Sequence, residues 1–337
     1  MHRKRFDSRI GVVIALILAC SAVAAAQFKV LKKIPLEGEG RWDYVVVDAA
    51  AHRLYIARST HFSVLDTDRG TVVGDIPDTP GAHGIALAAK FGVGFTSNGR
   101  EGKVSVVDLK TLKVLSKIDT GENPDSIIFH PATGTVFVQN GKSNSTSVID
   151  AANKQVIATI PLGGKPEFAV YDDRGKFFIN LEDKGAIVVV DAAKRKIKST
   201  WPLAGCEEPS GLAIDRKNHT LFSACSNKLL AIVDSESGKL LQTLPIGDDC
   251  DAVAFDPQTG NIFASNGGGT LTIAHKAASG KYEVVQNLET RAGSKTMALD
   301  EPAHTIYLPS AKFTGEPTAH PRPSVVPGSI EVLVVGK

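Results

Sequence analysis

The sequence predicts an all-β fold: a single seven-bladed β-propeller of four-stranded antiparallel blades, closed by an N-terminal strand that completes the last blade. Three observations carry this. An aromatic in a short β-branched or apolar run recurs at Tyr55, Phe95, Phe137, Phe178, Phe222, Phe263 and Tyr307, at intervals of 40 to 44 residues. An aspartate ending an alternating strand recurs at Asp66, Asp108, Asp150, Asp191 and Asp234, with His275 continuing the series. A period of about 42 residues suits one propeller blade. The third observation is complementary deficits at the two ends. Lys29–Pro35 reads as a fourth strand with no first three, and the segments 296–300, 305–308 and 330–335 read as three strands with no fourth. Joining them leaves no long unpaired edge.

The first 26 residues stand apart from this pattern. Arg3, Lys4, Arg5 and Arg9 form a basic start, Ile10–Ala19 is apolar but too short to span a bilayer, and Ala24-Ala25-Ala26 offers a signal-peptidase site before Gln27. We read 1–26 as a cleaved signal peptide and 27–337 as the propeller. A lipoprotein signal ending at Cys20 competes with this, but Leu18 suits it poorly. The expected location is periplasmic or secreted. Residues 1–26 carry four Lys/Arg and one Asp, so their removal turns the net charge of +2 into −1. That leaves no basic field for nucleic acid. No later apolar run is long enough for a transmembrane span.

Within the propeller, blade repeats begin near 42, 82, 124, 166, 209, 250 and 294. The second repeat shows the four strand signals clearly: 84–88, 94–97, 104–107 and 113–118. The first strand is the most continuously apolar, as an innermost strand must be; the fourth alternates because its outer face meets water. Asn98-Gly99, Asn140-Gly141 and Asn266-Gly267 read as hairpin turns with a left-handed residue. They belong to a series with Arg58, Leu181, Cys225 and Ser310, each three residues after the repeat aromatic.

Val104-Ser-Val-Val-Asp108, Gly121-Glu-Asn-Pro124 and Gln155-Val-Ile-Ala-Thr-Ile160 resemble the YVTN-type β-propeller repeat. The likeness covers nearly all of 27–337 and points to the YncE-like periplasmic propellers. The stretches 206–215, 221–228 and 321–328 resemble a subgroup of them. The resemblance implies fold and export, and no particular reaction. His275 departs from the repeat's aspartate, which places the turn bonding of blade 6 in question.

In a propeller the residue just before each first strand points toward the channel mouth. These residues are Asp43, His83, Asp125, Glu167, Ser210, Asp251 and Lys295. Four carboxylates, an imidazole and an ammonium converge there. Crowded carboxylates bind a cation, pair with a base or hold a proton. A divalent cation is therefore the candidate cofactor, with Asp43, His83, Asp125, Glu167 and Asp251 as candidate ligands. The plainer alternative is a solvated rim whose acids accept backbone N–H bonds.

Cys206, Cys225 and Cys250 all map to the mouth side of blades 5 and 6, and Cys206 with Cys225 flank two adjacent strands of one blade, so these two are paired. Cys250 is then odd, and a metal site joining it to Asp251 and His83 has no support in spacing. Ser310–Gly328 is a proline-rich insertion leaving the mouth face, long enough to cover the channel or dock a partner. His52, His61, His130, His219 and His304 have no partner at ligand spacing in sequence. No covalent-haem, zinc-protease, serine-hydrolase or phosphate-loop motif occurs. The expected function is an exported binding or scaffold propeller, a monomer, that uses its mouth face to hold a small ligand, metal ion or envelope protein. The alternative is a metal-dependent hydrolase or lyase at the same place.

Overall fold

The computed structural model describes residues 27–38, 40–317 and 323–337. The signal-peptide reading, Cys20, His320 and Arg322 lie outside them. Seven four-stranded antiparallel sheets surround a central channel, six of them with strands in chain order. The seventh is ordered Lys29–Pro35, Glu331–Gly336, Thr305–Ser310, Ala298–Asp300. The N-terminal strand pairs with the last strand of the chain from Lys29↔Gly336 to Pro35↔Glu331, which closes the ring as expected.

The two sequence markers have separate physical roles. The repeat aromatics fill the space between blades: Tyr55, Phe95, Phe137, Phe178, Phe222 and Phe263 are buried almost completely. Phe137 stacks on Phe177 of the next blade at 3.9 Å between ring centroids. The aspartates instead cap the hairpin between third and fourth strands. Asp66 Oδ1 accepts the N–H groups of Asp68 and Arg69 at 3.0 and 2.8 Å, and Asp108 and Asp150 repeat the pattern. These bonds hold the three carboxyls below their usual range. In blade 6, where His275 replaces aspartate, the hairpin is longer. It closes through Ala277 N–H to Lys281 O, 2.8 Å, with Gly280 at φ 83°.

The asparagine–glycine pairs do open the hairpins between second and third strands, but neither residue of a pair takes the left-handed conformation. Asn98, Asn140 and Asn266 end extended second strands with their side chains wholly buried, and neither they nor Gly99, Gly141 and Gly267 have positive φ. The left-handed residues lie further along each loop, at Gly102, Asn144 and Gly269. The asparagine amides donate inward, to Ser105 Oγ at 2.7 Å, Ser147 Oγ at 3.0 Å and Thr272 Oγ1 at 2.9 Å. The glycines are needed for close approach instead. A Cβ on Gly99 would stand 2.5 Å from His83 Nε2 and 2.8 Å from Asn123 Oδ1.

Cys206 and Cys225 form a disulfide with Cα atoms 5.2 Å apart, and Cys250 is a buried free thiol. The disulfide suits an oxidising compartment. Among the described residues no helix is long and apolar enough to cross a membrane.

Candidate functional site: the channel mouth

The mouth residues sit at the starts of the first strands, and local irregularity turns them inward. Pairing with the second strand shifts register between Ala82 and Ile85, Pro124 and Ile127, Pro166 and Ala169, and Cys250 and Ala252. A bulge re-aims the side chains within it, and these four contain His83, Asp125, Glu167 and Asp251.

Neighbouring blades fix the same backbone. Thr296 Oγ1 donates to Asp43 O (2.9 Å), Tyr44 N–H to His83 O (3.1 Å) and Ser126 Oγ to Glu167 O (2.8 Å). Ser97 Oγ donates to Asp125 O, Asn180 Nδ2 to Ser210 O (2.8 Å) and Ser265 Oγ to Lys295 O (2.6 Å). Ser210 spends its own hydroxyl on Cys250 O at 2.7 Å. Each bond crosses a blade boundary, so the ring is held by the assembly of blades rather than by any one of them.

The ring encloses a cavity of about 310 Å³ at the mouth. Asp43, Asp125, Glu167, Ser210, Asp251 and Lys295 line it. His83 is not among the lining residues but contacts two that are, with Nδ1 2.6 Å from Asp43 Oδ2 and 3.7 Å from Asp125 Oδ1. Lys295 Nζ pairs with Asp251 at 2.8 Å, and Lys165 Nζ with Glu167 at 3.1 Å and with Glu182. The acids thus pair with side-chain bases, and no backbone N–H bond to the ring carboxylates is found among the described residues.

Sequence spacing missed Lys165, Glu182 and Asp249, which also line the cavity. Lys165 and Asp249 each lie two residues before a ring member, in the loop entering the blade, so period-based selection of one residue per repeat passes over them. Trp42, Tyr44 and Phe313 supply aromatic wall. Phe313 comes from the Ser310–Gly328 insertion and packs against Trp42 at 6.0 Å between centroids, while Arg41 donates to Pro323 O. The described ends of the insertion therefore border the mouth.

Burial and crowding set the protonation of the ring. Burial alone would lower the His83 imidazole, but its bond to Asp43 and the charges of Asp125, Asp43 and Glu167 outweigh it and raise it to about 9. Burial, opposed by His83 and reinforced by Asp43 and Asp251, lifts Asp125 to about 7. Burial and the Asp125 charge push Glu167 to about 9. Both carboxyls are mostly covered, 14% and 16% exposed. Raised pKa values of this kind favour the protonated forms, and a cation at the ring would have to displace those protons.

Asp43, His83 and Asp125 each offer a ligand atom within 4.8 Å of the others, the spacing needed to share one ion. Among the described residues no such group contains Cys250, whose thiol lies in the apolar core with burial raising its pKa. His52, His61, His130, His219 and His304 do find partners in space, as in His52–Asp68 at 3.1 Å and His304–Asp256 at 2.7 Å, but among the described residues none belongs to a group of three metal-ligating side chains.

No family model and no curated protein matches the sequence. The solved structures it resembles are propellers. Hydrazine synthase of Kuenenia stuttgartiensis aligns with TM-score 0.72 and 15% identity, covering 81% of this chain and 94% of that one. U3-55K aligns with TM-score 0.76 and 9% identity over 92% and 98%. The RRP9 WD40 repeats align with TM-score 0.76 and 9% identity over 93% and 98%. At such identities the likeness shows the fold alone.

Proposed function

We propose that this is an exported binding propeller of the YVTN, YncE-like kind, and that its channel mouth holds a divalent cation. The observation that carries the reading is the Asp43–His83–Asp125 group, whose two carboxylates line a cavity of about 310 Å³. Mixed carboxylate and imidazole donors suit Mn²⁺ or Zn²⁺ better than Mg²⁺, which demands near-ideal octahedral oxygen geometry. Asp251 and Glu167, paired with Lys295 and Lys165, line the same cavity. Binding has to displace the proton on His83, so affinity rises with pH. The basic start and alanine site of residues 1–26, together with the Cys206–Cys225 disulfide, support export to the periplasm or beyond.

The test is thermal unfolding after chelation. A cation that binds only the folded state adds about 2.7 kcal/mol at a hundredfold excess over Kd. Mn²⁺, Zn²⁺ or Ca²⁺ should raise the melting temperature, and Asp125→Asn combined with Glu167→Gln should remove the rise. An unchanged wild-type curve with all three ions would overturn the reading. A metal-dependent hydrolase or lyase is the second reading. Glu167 favours it, because a largely covered carboxyl that lines the same cavity as Asp43 and Asp125 is placed to act as a general acid or base.

A further inference from the structure

Beneath the ring the channel changes character. Tyr44 stands edge-on to Phe168, ring centroids 5.4 Å apart, with its hydroxyl 3.5 Å from Glu167 Oε2. Tyr44 borders both the mouth cavity and a second chamber of about 420 Å³. Val46, Leu87, Ile128, Phe129, Phe168 and Met297 are among the walls of that chamber. All but Met297 are only half-buried: each packs partly against an inter-blade core and still leaves apolar surface facing the chamber. Apolar surface left facing water is unfavourable, and a concave apolar volume of this size is the usual form of a small-molecule site.

The chamber's polar groups are few. Ser126 Oγ is committed to Glu167 O. Arg216 is the one charged residue among those lining the chamber. Its Cζ lies 4.9 Å over the Tyr171 ring and its Nε donates to Tyr171 O at 3.1 Å. Its other neighbours are acids at the outer rim. Asp173 lies 3.5 Å from Nε but is 77% exposed, and Glu301, raised chiefly by burial, is drawn back by Arg216. An exposed pair of this kind is weak, and the contacts named engage Nε, leaving the Nη edge of the fork as the natural seat for a carboxylate.

We propose that this chamber binds a small alkyl carboxylate, its chain lodged between Val46, Ile128 and Phe168 and its head on Arg216. Phe168 to Tyr171 spans about 10 Å of strand, a depth that suits a medium-length chain. The site opens on the face opposite the mouth and does not depend on the cation reading.

Octanoate, octanol and octylamine, titrated calorimetrically into the full mature chain, test it. Octanoate should bind saturably, octylamine should not, and octanol should bind about tenfold or more weakly than octanoate. Arg216→Gln should weaken octanoate to the level of octanol and leave octanol unchanged. Leu87→Trp, which fills the chamber, should abolish both; Ile128→Phe provides a second filling variant should Leu87→Trp fail to fold. Asp125→Asn with Glu167→Gln should leave octanoate binding intact, which separates this outcome from failure at the mouth. No saturable octanoate binding, or equal octanoate affinity in Arg216→Gln, would overturn the proposal.

Discussion

His83 Nδ1 lies 2.6 Å from Asp43 Oδ2 across the boundary between the first two blades, and this bond helps hold a proton on His83 against its burial. His83, Asp125 and Glu167 all have pKa values raised in the folded chain. A group of this kind stabilises the fold fully below its unfolded pKa, and the contribution is lost as pH rises through the folded value. The unfolded acids titrate near pH 4 and the folded His83 and Glu167 near 9. In the presence of chelator, the urea midpoint should therefore fall steadily from pH 5 to pH 9. Asp125→Asn with Glu167→Gln should flatten that fall; parallel profiles for variant and wild type would show that the ring holds no extra protons.

Ring closure rests on the six register pairs between Lys29–Pro35 and Glu331–Gly336. Deleting residues 28–36 strips the outer strand from the seventh blade and also removes the buried Phe28, Ile34 and Leu36. The melting temperature should drop by more than about 4 °C, the shift that roughly 1–2 kcal/mol produces in a domain of this size. A midpoint unchanged by the deletion would contradict the closure.

The Cys206–Cys225 bridge closes nineteen residues of sequence. By the loop-entropy model its reduction costs roughly 3 kcal/mol. Peptide mapping without reductant should recover this pair, and Cys250 should resist alkylation until the chain unfolds, since it is buried. A Cys225–Cys250 peptide would refute the arrangement.

The buried asparagines give a sharper test of the second-strand ends. Asn140 Nδ2 donates to Ser147 Oγ and Ser145 Oγ at 3.0 and 3.2 Å. Asn140→Ala should cost about 1–3 kcal/mol by leaving buried hydroxyls unpaired. Were Asn140 a turn residue, as its sequence suggests, the cost would be a few tenths. Denaturant titration distinguishes the two.

How far the sequence could be read follows from what each signal encodes. The aromatic and aspartate series are local demands of every blade, inter-blade filling by Phe137 and hairpin capping by Asp150, so they repeat and are visible. The mouth ring inherited that period, and the positions of Asp43, His83 and Asp125 could be placed from spacing. Their pairing could not, because it joins residues about 40 apart through geometry that bulges create. Lys165 and Glu182 were invisible for the opposite reason: they occur in one blade only. Asn98-Gly99 misled because a short polar–glycine pair fits two demands. Here the demand was room for His83 against Gly99, and the left-handed residue was Gly102.

The most direct test of the cation site is metal stoichiometry. Residues 27–337, stripped with chelator, are dialysed against Mn²⁺ or Zn²⁺ at pH 8, where displacement of the His83 proton is less costly than at neutral pH. One ion per wild-type chain is expected to be retained, falling to none in Asp43→Asn with Asp125→Asn while circular dichroism stays unchanged. No retained ion in the wild type, or one that survives loss of both aspartates, would contradict the assignment of the mouth.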